Sequence, residues 1–375
     1  MINTCNQIRL ITRIAAISCF LSMLLSFNIW TNERSFPTSP LFDFLPTIYH
    51  PIDYIIIVLS FVTLILIAIV RNPQKLIILF LVIGLILLVF DLNRWQPWFY
   101  QYYLMFFLFS FFNYRCDDTK QQVAIISIVK IMIAAIYFWS GLHKFNPNFI
   151  ADTFPWLMEP ITNRLGENSL SHFKILGYAF PLIESISGII LLINPIKKLG
   201  MILIISMHVF ILIVIGPIGH NYNPVVWPWN LAMIAFSLIL FNNEQDFKAI
   251  DFRNMFRYHS IKIVFVLFIL MPQLNFFNKW DSYLSHNLYS GNTSSGDIYF
   301  SKETKERLPQ SIQKYAVIND QEYAIAIKYW CMQETGVPAY PEQRNFEAIK
   351  NALYKYSTDT SEIYMTFTPK LKLND

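Results

Sequence analysis

Residues 137–149 read YFWSGLHKFNPNF. The stretch begins as the end of an apolar helix and finishes as a polar loop that holds Pro147. Lys144 stands at the junction, with His143 beside it. A lysine so close to hydrocarbon is costly and needs a partner or a purpose. Before it, Lys130, Ala134, Tyr137, Gly141 and Lys144 recur at helical steps and form one face that is polar or small throughout. Gly177, Pro181, Glu184 and Gly188 repeat that spacing in the next apolar run. Small residues let helices approach closely, so the two faces are expected to pack. Counting depth at about 1.5 Å per residue, we expect Lys130, Glu184 and His208 to share a layer near the membrane midplane, with Lys144 above them at the outer mouth. The layer reads either as an ion pair that fixes packing or as a proton-handling or substrate-binding group. For Lys144 itself, snorkelling to the outer headgroups is the plain alternative.

The composition around this stretch points to lipid. Of 375 residues, 54% are hydrophobic and 14% are charged, and mean hydropathy is +0.39. Soluble domains carry about 25% charged residues, so this chain must hide apolar surface in something other than its own core. The net charge is +4 without a basic run, which gives no footing for nucleic acid. The first apolar run, AAISCFLSMLLSFNIW, follows Arg9 and Arg13. No small-residue cleavage site follows it, so a retained membrane helix is preferred over a signal peptide. Eight more runs lie near 53–70, 76–92, 98–113, 121–142, 173–194, 199–216, 224–241 and 261–277. The expected fold is an all-α membrane bundle of about nine transmembrane helices over residues 1–278.

Loop cations test that count. One side carries Arg9, Arg13, Arg71, Lys75, Arg115, Lys120, Lys197, Lys198, Lys248, Arg253, Arg257 and Lys262. The other carries only Arg34, Arg94, Lys144, Arg164 and Lys174. The bias places the N-terminus in the cytoplasm and the last segment outside. That segment, residues 279–375, is expected to be a small extracytoplasmic α+β domain. DQEYAIAIKYWCMQE and EQRNFEAIKNALYKY read as helices, and GDIYFS and EIYMTFTP as strands. Short loops and few cysteines suggest a bacterial inner membrane. Cys5, Cys19, Cys116 and Cys331 form no CxxC or Cys/His cluster, so no metal or redox motif is expected. Cys19 reads as an inert core residue.

Two outer loops stand out. GPIGHNYNPVVWPWN, residues 216–230, has the glycines and prolines of an irregular loop leading into a helix. Its His220, Asn221, Tyr222 and Asn223 are expected on the same side as Lys144, and Asn230 points into the next helix. Trp227 and Trp229 read as members of an interfacial belt. FPWLMEP, residues 154–160, reads as a re-entrant or interfacial lid.

YFWSGLHKFNPNF, with FPLIESISGIILLI, ISMHVFILIVIG and NPVVWPWNLAM, resembles the horizontally transferred transmembrane domain family. That family includes the membrane part of vitamin K-dependent γ-carboxylase, and DoxX-like proteins are a more distant likeness. The resemblance spans roughly residues 8–280 and is firmest over about 120–235. It implies nine helices, an inner N-terminus and an outer C-terminus. It also implies that Lys144 acts as the base on a reduced, vitamin K-like quinone. Candidate catalytic residues are then Lys144, His143 and His208. Candidate substrate-binding residues are Tyr137, Glu184, Lys130, His220, Asn223, Trp227 and Asn230. The implied activity is a quinol-dependent oxygenase, epoxidase or carboxylase. The tail carries no counterpart of the carboxylase's substrate-binding segment. The alternative is therefore a non-catalytic quinone- or lipid-binding subunit, or an accessory protein whose outer domain binds a partner. A transporter with a Lys130–Glu184–His208 relay ranks last, because no inverted repeat is visible.

Overall fold

Each apolar run forms a helix with a local reason to begin where it does. The computed structural model describes residues 3–165, 169–242, 252–319 and 322–371. The helices are α1 (Thr4–Leu25), α2 (Ile52–Ile69), α3 (Gln74–Phe90), α4 (Pro97–Ser110), α5 (Thr119–His143), α6 (Phe154–Leu165), α7 (Ser169–Leu191), α8 (Lys197–Ile215), α9 (Val226–Phe241) and α10 (His259–Phe277). Asn3 caps α1 by accepting the Asn6 N–H, and Asp118 caps α5 by accepting from Lys120 and Gln121. Pro97 opens α4, where a missing N–H does no harm.

Among the described residues five helices are long and apolar enough to cross a membrane: α1, α2, α5, α8 with the turn before it, and α10. The others at the expected runs are shorter. Gln74–Phe90, Ile175–Leu191 and Val226–Phe241 are apolar but fall below that length, and α4 has 14 residues. The expected count of nine spans is therefore not confirmed, although this is a membrane-type helical bundle. The FPWLMEP stretch is part of α6, a helix rather than an irregular lid. Of the cations used for the topology, Lys248 lies outside the described residues, as do the side chains of Lys174 and Arg253.

α5 is the central helix, buried along most of its length. α7 packs against it at two glycines. A Cβ on Gly141 would lie 2.5 Å from the Ser185 nitrogen and 2.7 Å from the Pro181 oxygen. One on Gly188 would lie 2.5 Å from the Ala134 oxygen and 2.8 Å from the Phe138 nitrogen. Backbone meets backbone there, as the paired small-residue faces imply.

The loops alternate between the two ends of the bundle. At one end Cys5 pairs with Cys116 in a disulfide, a link the cysteine spacing gave no reason to expect. Beside it the Arg9 guanidinium donates to the Tyr114 oxygen, and the Thr12 hydroxyl meets the Tyr114 hydroxyl. Cys19 is fully buried, in keeping with an inert core role.

The other end carries the C-terminal domain. Its antiparallel sheet runs in the order β2 (Val317–Asn319), β3 (Glu322–Ala326), β1 (Ser295–Phe300), β4 (Ile363–Thr368). Ile298 pairs with Ile325 and Met365 across the sheet. Helices α11 (Lys302–Arg307), α12 (Ile327–Thr335) and α13 (Gln343–Leu353) accompany it, and Trp330, Phe346 and Ile349 join the buried side. The expectation of a helix across DQEYAIAIKYWCMQE is corrected. Residues 322–326 are strand, and the helix starts at Ile327. Ladder pairing with β1, which puts Ile325 in the core, overrides the local helical pattern.

Asn93, fully buried, docks this domain on the bundle. Its Oδ1 accepts from the Tyr340 N–H at 3.0 Å and the Asn345 Nδ2 at 2.9 Å. Gln96 donates to the Pro338 oxygen at 3.0 Å, and Asn146 to the Ser290 oxygen at 2.9 Å. Arg94, read as a loop charge, is instead buried and donates to the Ile29, Trp30 and Leu87 carbonyls.

Two outcomes follow from this packing. Gly188→Leu drives a side chain into the α5 backbone, and overpacking of that kind costs about 1–3 kcal/mol; thermal unfolding in detergent should show a lowered midpoint, while Ile189→Leu on the exposed side leaves it unchanged. His286, beyond α10, is buried against Phe268 with ring centroids 4.2 Å apart. Burial lowers its pKa to about 3. The unfolded chain then binds the extra proton between that value and about 6.5, so stability is full above that range and falls with pH. Melting curves from about pH 7 to about pH 5 should decline less steeply for His286→Gln than for the natural chain.

Candidate functional site

Lys144 ends α5, and its side chain folds back into the bundle instead of snorkelling outward. A helical Cβ points toward the helix N-terminus, which aims the chain down one turn. The ammonium donates to the Ser140 Oγ at 2.7 Å, the Ser140 oxygen at 3.2 Å and Glu184 Oε1 at 3.1 Å, with Oε2 at 2.8 Å. Both charged groups are buried. Glu184 thus belongs to Lys144 and not to a midplane layer with Lys130. Lys130 is also buried on α5, but it lies about 21 Å further along the axis at the standard rise. Gly141 meets Ser185 and Pro181, so Glu184 sits level with the last turn of α5 and not with Lys130.

His208 lies in a separate chain of hydrogen bonds. Its Nδ1 is 2.7 Å from Asn230 Oδ1, an acceptor, so Nδ1 carries the proton. Nε2 then accepts from the Tyr137 hydroxyl at 2.7 Å. Asn230 passes on to the Val226 oxygen at 2.8 Å. The chain ties α5, α8 and α9 with every member satisfied. His143 stacks on Phe276 at 4.4 Å, and its buried Nε2 has no partner. It touches neither Glu184 nor His208 by any of these bonds.

The third grouping lies where the bundle meets the C-terminal domain. His220 stacks on Trp156 at 4.4 Å and 13°, and its Nε2 is 2.6 Å from the Trp156 oxygen. Trp156 lies nearly parallel to Tyr289 and edge-on to Tyr222. Asn223 donates to the Tyr289 hydroxyl at 3.2 Å. These rings border a cavity of about 600 Å³. Trp98, Trp229 and Asn223 line it from the bundle. Pro338, Ala339 and Phe346 line it from the C-terminal domain, and the linker 283–294 with Ser295 of β1 supplies another wall. Gly291 holds that linker close, since a Cβ there would lie 2.6 Å from the Thr153 Oγ1, and its φ is +70°. Three polar atoms of lining residues are buried without a partner: Trp98 Nε1, Asn223 Oδ1 and Asn287 Oδ1. Each such atom costs about 1–3 kcal/mol unless something meets it.

Of the residues expected to form the site, only Asn223 lines this cavity. Trp227 is half-buried, with its Nε1 unpartnered, and stands outside the lining. Trp229 is more than a belt residue: it is buried and donates to Gln101 Oε1 at 2.7 Å. Trp98, Asn287 and Tyr289 were not expected. Only the fold brings the linker residues beside Trp156. No group of three or more metal-binding side chains occurs among the described residues.

The ion pair gives a clear energetic test. Glu184→Gln leaves the ammonium buried beside a neutral amide. Breaking such a pair costs about 3–5 kcal/mol, while replacing both partners by apolar groups is often near neutral. Denaturant unfolding should show the single variant much less stable than Lys144→Met/Glu184→Leu. Equal stability of the two would remove the ion pair from the account of the fold.

Comparison with protein families, with curated proteins and with solved structures returned no match.

Proposed function

We propose that the protein is a membrane-embedded binding protein that holds the head of an amphipathic lipid or quinone between its helical bundle and its outer domain. One observation carries this reading: an aromatic-lined cavity of about 600 Å³ lies between the end of the bundle and the C-terminal domain, with Asn223, Asn287 and the hydroxyls of residues 290–295 among its lining. Ligand sites are concave, rich in aromatic side chains and equipped with a few fixed polar groups. An amphiphile suits the position, because the floor of the cavity is made by the ends of membrane helices while its roof is polar-domain surface. The loop-cation bias supports an outward-facing roof in a bacterial inner membrane.

The binding reading is preferred over quinol-dependent catalysis of the carboxylase type. A lysine base needs a free lone pair. Lys144 directs its ammonium at Ser140 and Glu184, and it does not line the cavity. Proton transfer through it would require the ion pair to open first.

Full-length protein purified in mild detergent should retain a defined lipid or quinone, detected by mass spectrometry of the extract. Trp229→Leu/Asn223→Leu should lose it. Lys144→Met/Glu184→Leu should keep it. The same species recovered in equal amount from all three proteins would sink the proposal.

A further inference from the structure

We infer that the linker 283–294 is a latch released by acid: charging two buried histidines, His143 and His286, frees this wall from the bundle and opens the cavity. The inference gives the proposed binding site a control. It rests on that reading only for its purpose, and its test follows the wall itself, so the two can fail separately.

The two rings lie where linker and bundle meet, one from each side. His143 comes from the last turn of α5 and stacks on Phe276 of α10. His286 comes from the linker and packs on Phe268 of α10, with Tyr100 of α4 beyond it. Each ring also interacts with backbone of the opposite side, His143 with Ser285 and His286 with Phe268. Both Nε2 atoms are buried, and among the described residues neither has a partner. A neutral imidazole leaves only a bare lone pair there. An imidazolium leaves a charged N–H unmet away from water, which costs far more.

The surrounding charges add to that cost. Those that act most on His143 are of its own sign: Lys370 from the tail after β4, His286 once protonated, and Lys144. Lys144 is committed to Glu184. Lys370 is buried, donates to the Ser282 Oγ at 3.4 Å, and is drawn by Glu342 and Asp281. Asp281 is bound in turn by Arg344 and by the Tyr340 hydroxyl. The closed linker is otherwise held by a few neutral bonds, each of small net worth. Asn146 donates to the Ser290 oxygen, and Asn292 exchanges two bonds with the backbone of Leu371. Tyr283, Asn287, Tyr289 and Gly291 of the linker line the cavity, so a freed linker is an open cavity. Burial holds His286 at about 3, far below the value of about 6.5 for an exposed histidine. A group whose pKa is depressed in the closed form stabilises that form at high pH and stops doing so as pH falls. Between about pH 7.5 and about pH 5.5, each histidine that takes its proton only on opening raises the open fraction about tenfold. Glu342, raised by burial, titrates in the opposite sense, but it is common to every variant compared.

Hydrogen exchange of the full-length protein in mild detergent, read by mass spectrometry at about pH 7.5 and about pH 5.5, tests the latch. Protection factors are compared, which removes the intrinsic pH dependence of exchange. The amides of Ser285 and Asn287, both bonded to the Ser282 oxygen, and of Asn292 report the linker. Their protection is expected to fall about a hundredfold in the natural chain, about tenfold in His143→Gln and in His286→Gln, and to stay level in the double variant. Peptides from α5 and β1 are expected to keep their protection. The single variants carry the test if the double variant does not fold. Linker protection that is equal at the two pH values, or that falls as far in the variants as in the natural chain, overturns the latch. An equal loss throughout the chain overturns it as well, since that is global unfolding. Each of these results leaves the binding reading to be decided by the copurified lipid or quinone.

Discussion

The buried ion pair between Lys144 and Glu184 fixes where the central helix stops, and the end of the molecule that carries the C-terminal domain is built from that point. With Ser140 completing the coordination, the pair locks α5 to α7 at the level where Gly141 and Pro181 bring the backbones together. Immediately after it the chain turns, and Asn146 bonds both to the His143 oxygen and to the Ser290 oxygen of the linker. The position of the linker wall, and so of the cavity, is inherited from the helix end. A charge pair in such surroundings contributes little net stability by itself. Its effect is to forbid other registers, since any slip leaves an ammonium or a carboxylate alone in a medium that penalises it.

Much of the bundle was legible because its physics is local. Runs of apolar residues become helices in lipid whatever else happens, since no other arrangement satisfies the backbone. The paired faces at Gly141 and Gly188 were readable for the same reason: helical spacing alone brings small residues onto one side. Depth was not. Placing Glu184 required knowing how α7 sits along α5, and the contacts of Gly141 set it beside the last turn. The strand at 322–326 was hidden too, because Ala and Ile suit a helix until β1 offers a ladder.

The candidate site shows the limit more sharply. Lys144, Glu184, His208 and Tyr137 attract notice because ionisable groups in hydrocarbon are expensive. The fold answers that expense within the protein, by one ion pair and one chain of hydrogen bonds. The cavity is lined instead by residues such as Trp98, Asn223 and Asn287, types common in belts and loops. Their significance comes from convergence over some 200 residues of chain, which periodicity does not record. Asn223 was within reach because its neighbours in HNYNP break the helix next to an aromatic cluster.

The cavity has a floor and a roof from distant parts of the chain, and this makes occupancy and assembly two sides of one equilibrium. Trp98 and Trp229 belong to the bundle; Pro338 and Phe346 belong to the domain that Asn93 holds down. Whatever occupies the space touches both. By linkage, an occupant stabilises the docked arrangement by the same free energy with which docking improves its own affinity. On the proposed reading, how firmly the C-terminal domain is seated would report what fills the cavity.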